Sequence, residues 1–356
     1  MQKCRAVGIL GASGLIGLQL TYLLHHHPMV AKVLAFSRRL AGTNLAQAFP
    51  AYKHLKALRF VEPEKKMLQQ CDVVFLALPH GESFGYVNAL KKSSIPLIDL
   101  SSDFRLADPA SYLAIYHRPH PMADEIKGFY QCIPEINGSG ISPDFRWISL
   151  QGCTATAVAL ALYPLLAEDL IDPAPVIVDA KVSSSGSGRA GYSEAQAHFQ
   201  RSNGVRAHKL LRQHRHSHEI EAFLHNQTGV SVSVLLNTFS VDMVRGMLCA
   251  SYVHLRNGAD NKRLFTLYRS YYDGQPCIRL IKQHNGFERH PNPKLLLNTN
   301  FCDIGFQIDE STGMGVVLSA LDNLMKGGAG QAVQCFNLLM GFAADVGLPH
   351  MSFFPG

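Results

Sequence analysis

The sequence predicts an α/β chain with a doubly wound parallel sheet followed by an α+β domain with a mostly antiparallel sheet, and three observations carry the prediction. Over the first hundred residues, short apolar runs alternate with helical stretches. A glycine-spaced segment, Gly8–Gly17, joins a strand to a helix. After residue 153 the strands lengthen and alternate polar with apolar side chains, as antiparallel strands with one wet face do.

Taken in order, Ala6–Leu10, Val33–Phe36, Val73–Leu78 and Leu97–Leu100 are continuous apolar runs, the pattern of strands buried on both faces. Leu15–Leu24 and Gly85–Leu90 read as the helices between them. Val176–Val182, Val230–Phe239 and Met247–Leu255 are the longer strands. From Asp322 to Gly347 the spacing of Leu324, Ala332, Val333, Phe336, Leu339 and Met340 returns to a helical period. The expected organisation is a nucleotide domain over 1–152, completed by a C-terminal helix over 322–356, and a catalytic and oligomerisation domain over 153–321. At 356 residues two domains are the natural expectation.

Composition excludes several functions. A net charge of +6 is spread without any run of five or six basic residues, so no nucleic-acid arm is present. The longest apolar stretch, Thr154–Ala167, is shorter than the ~20 residues of a membrane span. The eight cysteines stand at 4, 71, 132, 153, 249, 277, 302 and 335, no two closer than 21 residues, which leaves no Cys-x-x-Cys pair. Scattered thiols and a strand beginning at Ala6 give the expectation of a cytoplasmic protein without a signal peptide.

Gly11, Gly14 and Gly17 have G-x-x-G-x-x-G spacing between a strand and a helix, the context in which glycines admit a dinucleotide pyrophosphate to a helix N-terminus. Gly11, Ser13, Gly14, Leu15 and Ile16 form the expected phosphate loop of a Rossmann-type domain. Where an NAD site places an acidic residue, this chain has Ser37, Arg38 and Arg39. A hydroxyl and two guanidinium groups suit a 2′-phosphate, so the expected cofactor is NADP.

Cys153 lies in Leu-Gln-Gly-Cys-Thr-Ala-Thr, read as a strand-to-helix transition with Thr154 and Thr156 as hydroxyl caps. A thiol at a helix N-terminus is stabilised as thiolate by the dipole and the unpaired N–H groups, and so becomes a nucleophile. His214, His216 and His218, followed by Glu219 and Glu221, offer a general acid/base; on one helix His214 and His218 would share a face. The absence of an H-E-x-x-H pattern or a nearby thiolate argues against a metal centre. His25–His27 is expected to end the first helix without chemical function. The loop Val182–Gly191, with Ser185 and Arg189, reads either as an anion cradle or as a plain hairpin loop.

With these residues in hand, the chain resembles the N-acetyl-γ-glutamyl-phosphate reductases of the wider aspartate-semialdehyde dehydrogenase group. The resemblance runs nearly end to end, through GASGLIG (Gly11–Gly17), DLSSDFRL (Asp99–Leu106), GFYQCIPEIN (Gly128–Asn137), GCTATA (Gly152–Ala157), SGSGR (Ser185–Arg189), HRHSHEIE (His214–Glu221), NTNFCDIG (Asn298–Gly305) and LDNLMKGGAGQAVQ (Leu321–Gln334). It implies Cys153 as nucleophile, His216 as acid/base with Glu219 beside it, Arg105, Ser185 and Arg189 on the substrate, and Asn323 with Gly328–Gln331 at the cofactor. The implied activity is NADPH-dependent reduction of N-acetyl-γ-glutamyl phosphate to N-acetylglutamate semialdehyde, through a Cys153 thioester, by a homodimer or homotetramer with its site in the interdomain cleft.

The chain departs from the usual pattern. Acetylglutamate enzymes have Asn-Pro-Gly-Cys-Tyr-Pro-Thr at the nucleophile, and Thr-Pro where Ser217-His218 stand here. The Ala-Thr after Cys153, the serines at 183–185 and Arg201–Arg206 lean toward the branch whose glutamyl or aminoadipyl substrate is held by an amino-group carrier protein. Two rivals complete the field: aspartate-semialdehyde dehydrogenase, against which the HRHSHEIE and DNLMKGGAGQA segments argue, and a non-catalytic NADP sensor with Cys153 merely buried.

Overall fold

The computed structural model describes residues 4–173, 175–188, 202–282 and 290–352. Arg189 and Arg201 lie outside them. The chain divides into two compact units, one of Met1–Cys132, Gly140–Leu150 and Gly328–Leu348, the other of Ile133–Ser139, Gln151–Gly327 and Pro349–Gly356. Against the ranges read from the sequence, Ile133–Ser139 joins the second unit, because Ile133 lies in that unit's core and Glu135 pairs there with Lys326.

In the first unit, β1 (Val7–Leu10), β2 (Val33–Phe36), β3 (Phe60–Val61), β4 (Val73–Leu76), β5 (Leu97–Asp99), β6 (Tyr130–Cys132) and β7 (Trp147–Leu150) form one sheet in the order β3-β2-β1-β4-β5-β7-β6. Every pairing is parallel, with Val7 opposite both Val33 and Val73. β1, β2 and β4 are buried at all four positions, as continuous apolar runs require. Strand order reverses between β1 and β4, so the carboxyl ends of these strands flank the topological switch point where α/β sheets bind ligands. β3, β6 and β7 were not expected; β3 and β6, of two and three residues, are too short to show a period.

The second sheet comprises β8 (Val176–Val182), β9 (Val205–Lys209), β10 (Val234–Val241), β11 (Met247–His254), β12 (Ile278–Leu280), β13 (Cys302–Asp309) and β14 (Met314–Leu321), in the order β12-β13-β14-β11-β8-β10-β9. Four pairings are antiparallel, while β8/β10 and β12/β13 are parallel. β10 begins at Val234 rather than Val230, because Gly229, in the left-handed region, ends the preceding helix Arg215–Thr228 and a short link follows.

The helices Cys153–Ala167, Arg215–Thr228 and Asn261–Tyr272 share one core with this sheet, through residues such as Val158, Leu162, Ile220, Phe223, Leu264, Val178 and Val317. Pro164 sits inside the first of them and has no N–H to give Leu160 O. The Tyr272 hydroxyl donates to that carbonyl at 2.6 Å, and Tyr268 does the same to Ala161 O. A proline that would weaken a lone helix here leaves Leu160 O to the hydroxyl of a neighbouring helix.

Helical structure near the C-terminus is shorter than the sequence pattern. A π-helical turn, Met325–Ala329, precedes the helix Gly330–Leu339, and Gly341 at φ 72° follows its end. The first helix runs Leu15–His25, with His26 at the C-cap. His27, expected to belong to that helix end, is instead a buried fixture of the first unit. Its Nε2 meets Asn337 Oδ1 at 2.9 Å and Val346 O at 3.0 Å, and its Nδ1 accepts from Met29 N–H.

Candidate functional site

The glycine loop follows β1 as expected. Gly11 has φ 76°, and a Cβ there would lie 2.2 Å from Ala77 O; a Cβ on Gly17 would lie 2.1 Å from Gly11 O. Only glycine fits either place. A Cβ on Gly14 would meet nothing nearer than Gly11 O at 3.4 Å. Gly14 is also the N-cap of the first helix, extended and without a capping side chain, so the N–H groups of Leu15 and Ile16 receive no acceptor from it. Space in front of Gly14 and uncapped N–H groups behind it are what a pyrophosphate needs.

Ser13 Oγ and Ser37 Oγ lie 3.2 Å apart, which joins the loop to the end of β2, and Ser37 Oγ accepts from Leu40 N–H. Arg38 and Arg39 are exposed. Arg38 forms an ion pair with Glu82. Arg39 has no hydrogen bond or ion pair among the described residues.

Cys153 is the first residue of its helix, and the N-cap is Gly152. The expected hydroxyl caps are not found: the N-cap makes no side-chain bond, and Thr156 Oγ1 donates to Gln151 O. Glycine cannot cap with a side chain, so Gly152 itself offers the first N–H groups of this helix no acceptor. Cys153 is half-buried, whereas the other seven cysteines are buried. Burial pushes the thiols of Cys4 and Cys71 up to about 12, and that of Cys302 well above its usual value. Those groups stay protonated and unreactive.

The structure separates the three histidines. His214 is not within the helix but is its N-cap, with Nδ1 accepting His216 N–H at 3.2 Å, so His214 and His218 do not share a helical face. Desolvation by burial, with His216 and Lys209 nearby, pushes the His214 imidazole down to about 2. His218 belongs to a peripheral network in which Glu221 also binds Arg212 and Val234 N–H. His216 is buried, 4.5 Å ring to ring from His214, with Nε2 3.6 Å from Glu219 Oε2. Glu219 is buried too, and Arg215 Nε stands 3.8 Å from its other oxygen. One turn of helix thus supplies an imidazole beside a carboxylate that can orient it.

A model of the semialdehyde dehydrogenase NAD-binding domain matches residues 6–142, and one of the semialdehyde dehydrogenase dimerisation domain matches residues 153–323. The chain belongs to the semialdehyde dehydrogenase family. It is 40% identical to a Pyrobaculum aerophilum protein over 98% of this chain and 99% of that one, whose provisional name is LysW-L-2-aminoadipate/LysW-L-glutamate phosphate reductase. It is 41% identical, over 99% and 98%, to a Thermomicrobium roseum protein provisionally named LysW-L-2-aminoadipate 6-phosphate reductase. Among solved structures, the fold matches Vibrio cholerae aspartate semialdehyde dehydrogenase II with a TM-score of 0.71 at 16% identity, covering 96% of this chain and 99% of that one. Candida albicans aspartate semialdehyde dehydrogenase with NADP matches at 0.69 and 15%, covering 97% and 100%.

As a semialdehyde dehydrogenase family member the chain carries an NAD(P)-binding domain, and the glycine loop described above lies in it. The remaining expected residues are distributed as follows. Asn323 Oδ1 accepts from Ser183 Oγ at 3.1 Å and from Gly246 N–H at 2.8 Å, and its Nδ2 donates to Ser185 Oγ at 3.0 Å. Ser185 and Asn323 are therefore brought together, with Asn323 deeply engaged in its own unit. Gly328 lies in the π-helical turn. Arg105, half-buried, donates to Leu100 O at 2.9 Å.

Several features were not anticipated. Asp103 is fully buried and accepts from Gly81 and Ser83 N–H, with His80 Nδ1 at 2.7 Å. Desolvation, with Asp103 adjacent, raises the Asp99 carboxyl to about 7. Gln151, 2% exposed, has an amide without a hydrogen-bond partner among the described residues. Lys326 and Glu135 form an ion pair with neither side chain exposed. The DLSSDFRL and KGGAGQ segments were the available signals for the first and last of these, but a motif does not reveal which of its residues touch. Among the described residues no group of three or more His, Cys, Asp or Glu could hold a metal ion, and no helix is long and apolar enough to cross a membrane.

Proposed function

We propose that this protein reduces a carrier-protein-bound aminoadipyl or glutamyl phosphate to the semialdehyde with NADPH, releasing phosphate. The observation that carries the chemistry is Cys153: a half-buried thiol at the first residue of a helix whose glycine N-cap leaves the dipole end open. The carrier-bound substrate, rather than free N-acetyl-γ-glutamyl phosphate, is supported by the names of the relatives at 40% and 41% identity over nearly the whole chain. The Ala-Thr after Cys153 and Ser183–Ser185, which departed from the acetylglutamate pattern, fall in line with that reading.

In this mechanism the Cys153 thiolate attacks the acyl-phosphate carbonyl, and the C–O bond to phosphate breaks to leave a thioester. A nicotinamide cofactor, when bound, supplies the hydride that the thioester carbon accepts. The reduced carbon then expels the Cys153 sulfur, the C–S bond breaking to release the semialdehyde, and His216, oriented by Glu219, returns to that sulfur the proton it took from the thiol at the start. Gly11, Ser13, Gly14, Leu15 and Ile16 would hold the pyrophosphate. Ser37 with Arg38 and Arg39 would hold the 2′-phosphate, the absence of an acidic residue at the end of β2 being what favours NADP over NAD. Self-association is supported by the exposed cross-strand neighbours Ile177 and Tyr252 on a sheet of the dimerisation-domain family.

The test is phosphate-dependent oxidation of semialdehydes with NADP+. The aminoadipate or glutamate semialdehyde carried on the amino-group carrier protein should turn over with an ordinary kcat/KM, and free N-acetylglutamate semialdehyde or aspartate semialdehyde far more slowly. Efficient turnover of the free acetylated substrate would return the acetylglutamate reading. No turnover of any of them would leave the sensor.

A further inference from the structure

We infer that Gly327 is a positioning residue for the Cys153 thiol, locked in place by the buried Lys326–Glu135 ion pair; the inference rests on Cys153 being the nucleophile. A Cβ on Gly327 would lie 2.4 Å from Cys153 Cβ, 3.1 Å from Cys153 Cα and 3.2 Å from Leu321 Cδ1. Neither Cys153 atom can swing away by a side-chain torsion. Relief has to come from moving the start of the Cys153 helix or the turn that carries Gly327.

The turn is stapled at both ends. The Asp322 carboxylate accepts Arg245 Nε at 2.6 Å, Asn298 N–H at 2.7 Å and Leu324 N–H at 2.9 Å, and Gly327 N–H donates to Asp322 O at 3.0 Å. Next to Gly327, Lys326 Nζ stands 2.6 and 2.5 Å from the two oxygens of Glu135. Taking a lysine and a glutamate wholly out of water is costly and seldom improves stability, so such a pair is better explained by the geometry it enforces. The π-helical geometry of Met325–Ala329 belongs to the same picture, since π-turns concentrate at functional sites. The helix yields no more easily, because Thr154–Leu162 are all buried.

Two rigid elements therefore meet at Cys153 Cβ, and the missing side chain at residue 327 is what lets them meet. The sulfur is one bond from that contact. Attack on a carbonyl needs the reacting atoms ~3–3.5 Å apart, and a misplacement of ~1 Å costs on the order of 100-fold in rate.

Gly327→Ala should lower kcat by about 100-fold with KM changed little. It should also move the pH midpoint of Cys153 alkylation by iodoacetamide upward, because the sulfur leaves the N–H groups of its helix. Lys326→Met should give a smaller loss of the same kind. A Gly327→Ala enzyme with the parent kcat and the parent alkylation profile, beside an inactive Cys153→Ala, overturns this inference alone. An active Cys153→Ala overturns the nucleophile reading with it. If Gly327→Ala does not fold, Cys153→Gly/Gly327→Ala removes the collision partner and should melt with Cys153→Gly. If the double variant also fails to fold while Cys153→Gly folds, the contact is not with Cys153 and the inference falls.

Discussion

Two strand-to-helix junctions in this chain share a backbone plan and differ in what stands at the first helical residue. At the first, Gly14 caps Leu15–His25; at the second, Gly152 caps Cys153–Ala167. Both caps are extended, at φ/ψ −78°/168° and −67°/159°, neither makes a side-chain bond, and neither first turn holds an acidic residue. Each therefore leaves N–H groups and a positive dipole end to an anion from elsewhere. The first has Gly11–Gly14 between strand and helix, pressed close to backbone at Gly11 and open at Gly14, and suits a ligand's phosphates. The second passes through Gln151 and Gly152 alone, and its first helical residue is a cysteine, so on the proposed mechanism the anion it favours is the chain's own thiolate. On that reading one backbone device serves binding or reaction according to the side chain at a single position.

The largest test of this contrast is at the second junction. Cys153→Ala should reduce turnover at least ~10⁴-fold, as loss of a covalent nucleophile does, while NADPH still binds in a fluorescence titration. Retained turnover would make Cys153 a core residue and end the comparison. Next, His216→Asn should lower kcat by about 10²–10⁴-fold and remove one limb of the pH–rate profile, with His214→Asn and His218→Asn losing far less. A large loss at His218 instead would move the acid/base role to the Arg212–Glu221 network.

At the first junction, replacing Arg38 and Arg39 together should weaken NADPH binding by about 2–4 kcal/mol, each charge-assisted bond counting ~1.5–3 less some non-additivity, and leave NADH nearly unchanged. Equal loss for both cofactors would show that the arginines serve the fold. Gly17→Ala should cost about 1–3 kcal/mol of stability in a denaturant titration, since its Cβ meets backbone, whereas Gly14→Ala should fold normally and raise only the cofactor KM. Similar melting behaviour for the two would mean the loop is not rigid.

The smallest effect comes from a third helix start, one that does have a side-chain cap. His214 must stay neutral to accept His216 N–H, and its folded-state pKa is far below the usual imidazole value. Below about pH 6.5 the unfolded chain takes up a proton that the folded chain refuses, so stability falls as pH drops. His214→Asn, which caps without titrating, should flatten the melting temperature between pH 7 and 5. An unchanged slope would place the acid sensitivity elsewhere.

Much of the fold was legible because its signals are local. Continuous apolar runs such as Val33–Phe36, bounded by turns, have the pattern of strands buried on both faces, and the glycines at 11 and 17 between strand and helix are places where only glycine fits. The two- and three-residue strands β3 and β6 carry no period and exist only through their neighbours. The end of the C-terminal helix was overestimated because apolar spacing continues beyond the chain's left-handed turn at Gly341.

The candidate site divides in the same way. From sequence alone come the residue types and their order: a cysteine before an apolar helix, an HRH triplet, serine and arginines where an acid would select NAD. Tertiary structure decided the surroundings of each member. Only packing could assign His214 to a cap, His218 to a peripheral network and His216 to a buried place beside Glu219. Only packing could set a buried Lys326–Glu135 pair, 191 residues apart in sequence, next to the glycine that touches Cys153. The reason is physical: backbone propensity and hydrophobic period act over a few residues, whereas desolvation and charge pairing depend on every atom within a few ångströms, whatever its place in the chain.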